Sequence, residues 1–319
     1  MLSSCTLIFK PKSFFKLTVS TIALLAIFHI VYFEIYARKL AVEGNVDLER
    51  YYELMSHGER FHVAAIGTSH TNSGLLSNSS SFFNYGRMFT WYPQVATAKV
   101  AHLINYAPKL QVLLLEIDHL DLFKYNSSKH LTLPKIHSHL WKEGVGDMNW
   151  QDSLTLVSFQ GDVAPGIHKR FIQEKMKINA PKKNHNQQGK WFDLADNIKR
   201  DKAAKRVKGQ LLQFPQEIDD KVYQYYASSI LMAKQRNIDL YLILFPQTEE
   251  YFNAIHPENH EKLEKFIALL GDKYGVKLLD YRFSFRNDEQ LFSNQDHLNR
   301  LGAKILIKKV FDDISESVE

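Results

Sequence analysis

Two short stretches carry residue types that could do chemistry together. The first, "LFSNQDHLNRLGAKI" (Leu291–Ile305), sets Asn294, Asp296 and His297 just before an amphipathic run. The second, "AAIGTSHTNSG" (Ala64–Gly74), puts Ser69 two residues after Gly67 at the end of an apolar segment. A serine hydroxyl attacks a carbonyl only when a base takes its proton, and imidazole is the side chain whose ordinary pKa suits that task near neutrality. Each stretch also has a plainer reading. Asp and Asn favour helix starts whether or not they react, and a Gly-Thr-Ser turn can simply cap a helix. GTSHT moreover lacks the second glycine of the G-x-S-x-G nucleophile elbow. His70 and His119 fall at strand ends and read as histidines lining a site. His137 and His139 in "IHSHL" form an H-x-H pair with no third metal ligand in view.

The two stretches matter only if the chain brings them together. "FHVAAIGTSHT" reads as a buried strand entering a turn, "FFNYG" as a short strand, "YPQVATAKVAHLINYAP" as a helix and "LQVLLLEIDHLDLF" as a strand covered on both faces. A helix near 217–236, the strand "DLYLILF", a helix near 258–274, the strand "VKLLDY" and a last helix from about 299 complete the alternation. Such alternation predicts right-handed crossovers and a parallel sheet between helices, an α/β three-layer sandwich. Ligands in that architecture sit at the carboxyl ends of the strands, where Gly67–Asn72, Gly86–Tyr92, Asp118–Phe123, Pro246–Glu250 and the loop before the last helix fall.

The chain of 319 residues, 45% hydrophobic and 13% aromatic, can bury a large core, and its only cysteine is Cys5. "LTVSTIALLAIFHIVYF" (Leu17–Phe33) is free of charge and, with Phe14, Phe15 and a snorkelling Lys16, predicts an uncleaved transmembrane helix over 13–36. Lys10, Lys12 and Lys16 precede it. The expected topology is therefore a cytoplasmic N-terminus at 1–12, a single-pass anchor in the inner or plasma membrane, a stalk at 37–59 and an extracytoplasmic domain at 60–319.

Between about 124 and 216 the alternation stops, which predicts a mostly helical insertion. From Lys169 to Lys208 the chain holds 13 Lys or Arg against 4 Asp or Glu. That run reads as a solvated face or as a surface for anionic lipid or acidic glycan. No dinucleotide-binding glycine pattern, Walker loop or cysteine-based zinc pattern is present, so no cofactor, no metal and no nucleic-acid partner are expected.

Read together, "IGTSHT", "NYG", "LLLEID" and "DHLN..GA" resemble the SGNH (GDSL-like) hydrolase superfamily, and with the anchor they resemble its membrane-anchored envelope branch of DltD/AlgJ type. The likeness covers about 60–123 and 217–312. It implies a flavodoxin-like domain, Ser69 as nucleophile, His297 as its base, and Asn84, Gly86 and Asp118 in the oxyanion or substrate-binding blocks. It also implies an O-acyl esterase or acyltransferase acting on envelope or exported polysaccharide, with the glycan, an acyl donor or a membrane-bound O-acyltransferase as partners.

Three blocks depart from that pattern. The acid three residues before the histidine is Asn294. A neutral amide stabilises imidazolium less than a carboxylate does, so Asp296, or more distantly Asp118 or Asp280, would have to supply the charge. Phe89 stands where a second glycine belongs, and "EIDHLD" has no asparagine donor, which leaves Ser69 N–H and a loop amide for the oxyanion. The alternative expectation is a catalytically silent SGNH-like accessory protein that binds glycan or a membrane acyltransferase during polysaccharide assembly.

Overall fold

The computed structural model describes residues 18–24, 27, 46–76, 79–86, 93–123, 191–212 and 221–316. The chain divides into two compact units, one of Met1–Glu49 with Leu154–Ala180 and one of Arg50–Ser153 with Pro181–Glu319. In the first, residues 18–24 are helical, and Val19, Ile22 and Leu24 are about half exposed or more. No helix among the described residues is long and apolar enough to cross a membrane. Most of the anchor expected at 13–36, and positions 124–190 of the insertion with His137 and His139, lie outside them.

The second unit is built on five parallel strands: β1 (Val63–Ile66), β2 (Phe82–Asn84), β3 (Val112–Glu116), β4 (Asp239–Leu244) and β5 (Lys277–Asp280), in the order β2-β1-β3-β4-β5. This is the flavodoxin-like order, α/β with helices on both faces. Period-two alternation sends each strand's side chains to opposite layers. Ala64, Ile66, Leu113, Leu115, Leu240 and Leu242 enter one core, while Ala65, Leu114, Tyr241 and Ile243 enter the other. β3 is buried at all five positions because it pairs on both edges and is covered on both faces. Truncating one of its leucines to alanine would cost about 2–5 kcal/mol.

Helices α1 (Val46–His57), α3 (Pro93–Tyr106), α5 (Val222–Gln235) and α7 (Pro257–Tyr274) cover the first face. The short α2 (Ser69–Gly74) and the final α8 (Arg300–Glu316) cover the second, through Leu75, Leu306, Val310 and Ile314. Two further helices are α4 (Asp196–Leu211) and the one-turn α6 (Glu249–Ala254), which pack on each other.

Two boundaries differ from the sequence expectation. The stretch expected as a stalk is part of the domain in its second half, because Tyr51 and Leu54 are buried in the first core. Helix α4, drawn from the basic run, is held to the domain rather than wholly solvated. Trp191 just before it is buried in the second core, and Lys199 pairs with Glu289 at 2.6 Å.

Candidate active site

Strand β1 ends at Ile66, and the chain turns at Gly67 into α2. The turn is organised by one carboxylate, Glu116, at the end of neighbouring β3. Its Oε2 accepts from Thr68 N (2.6 Å), Thr71 N (3.1 Å) and Thr71 Oγ1 (2.6 Å), and its Oε1 accepts from Thr68 Oγ1 (2.5 Å) and lies 3.1 Å from His70 Nδ1. Gly67 is required by close approach, since a Cβ there would lie 2.1 Å from Glu116 Oε2 and 2.0 Å from Thr71 Oγ1. Four of the five residues in GTSHT thus serve the glutamate, and the fifth, Ser69, is left to face outward. Its backbone N–H has no acceptor among the described residues, whereas those of Thr68, His70 and Thr71 are taken.

The other half of the site comes from the loop before α8. Ser293 N donates to His297 O (2.8 Å), Asn299 N donates to Leu291 O (2.8 Å), and Phe292 bridges to Leu298, so the loop closes on itself. Thr248, after β4, pins it by donating from N and Oγ1 to Gln295 O (3.2 and 3.0 Å). The helix is capped by Asn299, whose Oδ1 accepts from Leu301 N and Gly302 N. Asn294, Asp296 and His297 are therefore not needed as caps.

What they form instead is a hydrogen-bonded line ending at the serine. His297 Nε2 lies 2.8 Å from Ser69 Oγ, across 228 positions of sequence. Behind the ring, Nδ1 is 2.9 Å from Asp296 Oδ1 and 3.2 Å from Asn294 Oδ1. Asn294 Oδ1 also accepts from Asp296 N (3.0 Å) and His297 N (2.9 Å), an Asx-type turn that rotates the adjacent carboxylate onto its neighbour's ring. Both groups behind Nδ1 are acceptors, so Nδ1 carries the hydrogen and Nε2 of the neutral ring is free to accept from the serine.

Asp296 is fully buried, and its second oxygen accepts from Arg206 Nε at 2.9 Å, with His70 Nε2 at 3.7 Å. Burial disfavours its charge, but His297 and His70 outweigh that and hold the carboxyl well below the usual range. His70 lies between Glu116 and Asp296, its ring 4.7 Å from that of His297. Burial opposes its protonation, and the two carboxylates overcome burial and raise its pKa well above that of a free histidine.

The other expected site residues are placed differently. Asn84 Nδ2 donates to Thr71 O (2.8 Å) and Leu75 O (2.9 Å), which uses both of its hydrogens and leaves none for an oxyanion. Gly86 N donates to Asn84 Oδ1 (2.8 Å) and is committed as well. Gly86 is glycine for space, because a Cβ would meet Asn72 N at 2.6 Å. Asp118 lines a recess with Ser69, His70, Arg206 and Gln210, but its carboxylate caps the turn at His119–Leu122 and pairs with His119 Nδ1. Burial raises its pKa, yet the adjacent His119 more than compensates and brings it to about 2. Asp280 is bound by Arg282 (2.7 Å) and takes no part behind His297.

Glu116, Arg206 and the bridging role of His70 were missed from sequence. Glu116 left a signal, since an acid closing a fully apolar strand must find buried partners. Arg206, hidden in a long basic run, left none. His70, Asp296 and His297 do bring three ligand-type atoms within 4.8 Å of one another. The Arg206 guanidinium already occupies that carboxylate, so a divalent ion there would meet a fixed positive charge.

No protein-family model matches the chain, and no curated protein matches it by sequence. Among solved structures, a Bacteroides fragilis protein provisionally described as an acylhydrolase aligns over 81% of this chain and 88% of its own, with 8% identity and a TM-score of 0.41.

Proposed function

We propose that the chain is a serine acyl-transfer enzyme, an O-acyl esterase or acyltransferase of SGNH type, with Ser69 as nucleophile, His297 as general base and Asp296 as the acid behind it. The observation that carries the reading is the 2.8 Å contact of His297 Nε2 with Ser69 Oγ, backed by a buried carboxylate 2.9 Å from Nδ1. Ser69 attacks an ester carbonyl as His297 takes its proton. The imidazolium, stabilised by Asp296, returns that proton to the leaving alcohol, and a second acceptor then releases the acyl group. Water as acceptor makes an esterase, and a sugar hydroxyl makes a transferase. The apolar Leu17–Phe33 segment supports placing that chemistry at a membrane and its glycan substrate in the cell envelope.

A second reading, an SGNH-like accessory protein that binds glycan or a membrane acyltransferase without turnover, is favoured by one observation. Ser69 N–H has no acceptor among the described residues and can serve as an oxyanion donor, while the amides of Asn84 and Gly86 are bonded elsewhere. Losing one donor of an oxyanion hole typically costs about 10²–10³ in rate. Hydrolysis of an aryl acetate by the full chain separates the two readings. The enzyme reading requires turnover that falls to background in Ser69→Ala, and equal rates in the two proteins would reject it.

A further inference from the structure

A second pocket lies among α1, α2, β2 and α8, and no step of the proposed chemistry uses it. Its cavity volume is about 370 Å³, at the small end of the range of small-molecule sites. Its lining is mixed: the apolar side chains Leu75, Phe82 and Phe83 lie beside Asn72 and Asn84, and the exposed Leu76 stands at the mouth. Arg300 and Lys304, one turn apart on α8, line the same pocket. Neither has an ion-pair or hydrogen-bond partner among the described residues. Arg50 reaches the pocket while bonded to neutral oxygens of Asn72, Asn84 and Gly86. Glu53, a carboxylate among the lining residues, pairs with Arg60 at 2.7 Å. The pocket therefore joins apolar side chains to two cations, Arg300 and Lys304, that lack a partner among the described residues.

A neutral apolar ligand would gain nothing from the two cations, and a bare inorganic anion would gain nothing from the apolar side chains. We propose that this pocket binds an anionic amphiphile, a phosphate or carboxylate head on an aliphatic chain, with the head at Arg300 and Lys304 and the chain against Leu75, Phe82 and Phe83. The inference rests on the pocket alone and does not depend on Ser69 being a nucleophile. An occupant would nevertheless touch α2, which begins with Ser69, and α8, which begins three residues after His297.

The test is calorimetric titration of the full chain with octyl phosphate below its micellar concentration, alongside inorganic phosphate and neutral octyl glucoside. Saturable one-to-one binding of octyl phosphate is expected, at least about tenfold tighter than either comparator, and weaker at high salt because exposed charges are screened. The Arg300→Gln/Lys304→Gln protein should keep its melting temperature, since both side chains are exposed, and should bind octyl phosphate at least about tenfold more weakly. Absence of saturable binding, equal binding of inorganic phosphate or octyl glucoside, or unchanged affinity in the double variant would each overturn the proposal.

Discussion

Replacing Asp296 with Asn, compared with replacing Asn294 with Ala, separates the two oxygens that lie behind His297. In a Ser-His-Asp site, loss of the carboxylate lowers kcat by about 10⁴, equivalent to about 5.5 kcal/mol, largely because the imidazole adopts the wrong tautomer. Here Asn294 Oδ1 remains 3.2 Å from Nδ1 and can still hold the hydrogen on that nitrogen. What Asp296→Asn removes is the charge that faces the imidazolium at 2.9 Å, and the expected fall in kcat is about 10² or more, up to that 10⁴ limit. Asn294→Ala keeps the carboxylate but leaves two loop amides without their acceptor, which costs about 1–3 kcal/mol of stability and no more than about tenfold in kcat. The assay is aryl acetate hydrolysis at saturating substrate, with thermal melts to establish that both proteins are folded. A larger kcat loss in Asn294→Ala than in Asp296→Asn, with both folded, would refute the assignment of Asp296 as the acid.

Three more outcomes follow from the buried charges around the turn. Glu116→Gln replaces an acceptor of five donors with a group that can also donate and leaves His70 without one of its two carboxylates, so urea unfolding should show a loss of about 3–5 kcal/mol. Stability should decline at both ends of the pH scale. Asp118 is depressed to about 2, so its contribution of about 2 kcal/mol is present above pH ~4 and lost as pH falls toward that value. His70 is raised by Asp296 and Glu116, with His297 also facing it, so its contribution is complete below pH ~6.5 and lost as pH rises through its higher folded value. Urea midpoints of wild type should therefore fall on the alkaline side, and those of His70→Gln should not share that slope. Gly67→Ala drives a methyl into Glu116 and Thr71, and should abolish Ser69 reactivity and lower the melting temperature more than Gly209→Ala, where a Cβ meets nothing within 4 Å.

The layered sheet was legible because the strands announce themselves. "LQVLLLEID" can be buried on both faces only as an interior strand, and the observed order places it at the centre. The stretch carrying His297 was legible as a loop before the last helix, and its position at the carboxyl edge followed from parallel topology. The source of the charge behind His297 was not. A side chain seldom points at its immediate neighbour, and Asp296 does so in a loop closed by the Ser293–His297 and Asn299–Leu291 backbone bonds and pinned by Thr248, where Asn294 also gathers two backbone amides. The oxyanion blocks carried over from the family pattern failed for a local reason: Asn84 holds α2 through Thr71 and Leu75, and this bonding is invisible in a linear motif. Arg206 was hidden because a basic run looks solvated from end to end, although one face of α4 lies against the domain and buries Ala203 and Val207.

The central claim, that Ser69 is activated by His297 with Asp296 behind it, is tested most directly by covalent capture with a fluorophosphonate followed by peptide mass spectrometry. The expected result is one adduct, on Ser69, forming at least about 10² times more slowly in folded His297→Ala and Asp296→Asn proteins. No adduct on Ser69 in the folded wild-type chain, or labelling at an unchanged rate in those two variants, would contradict it.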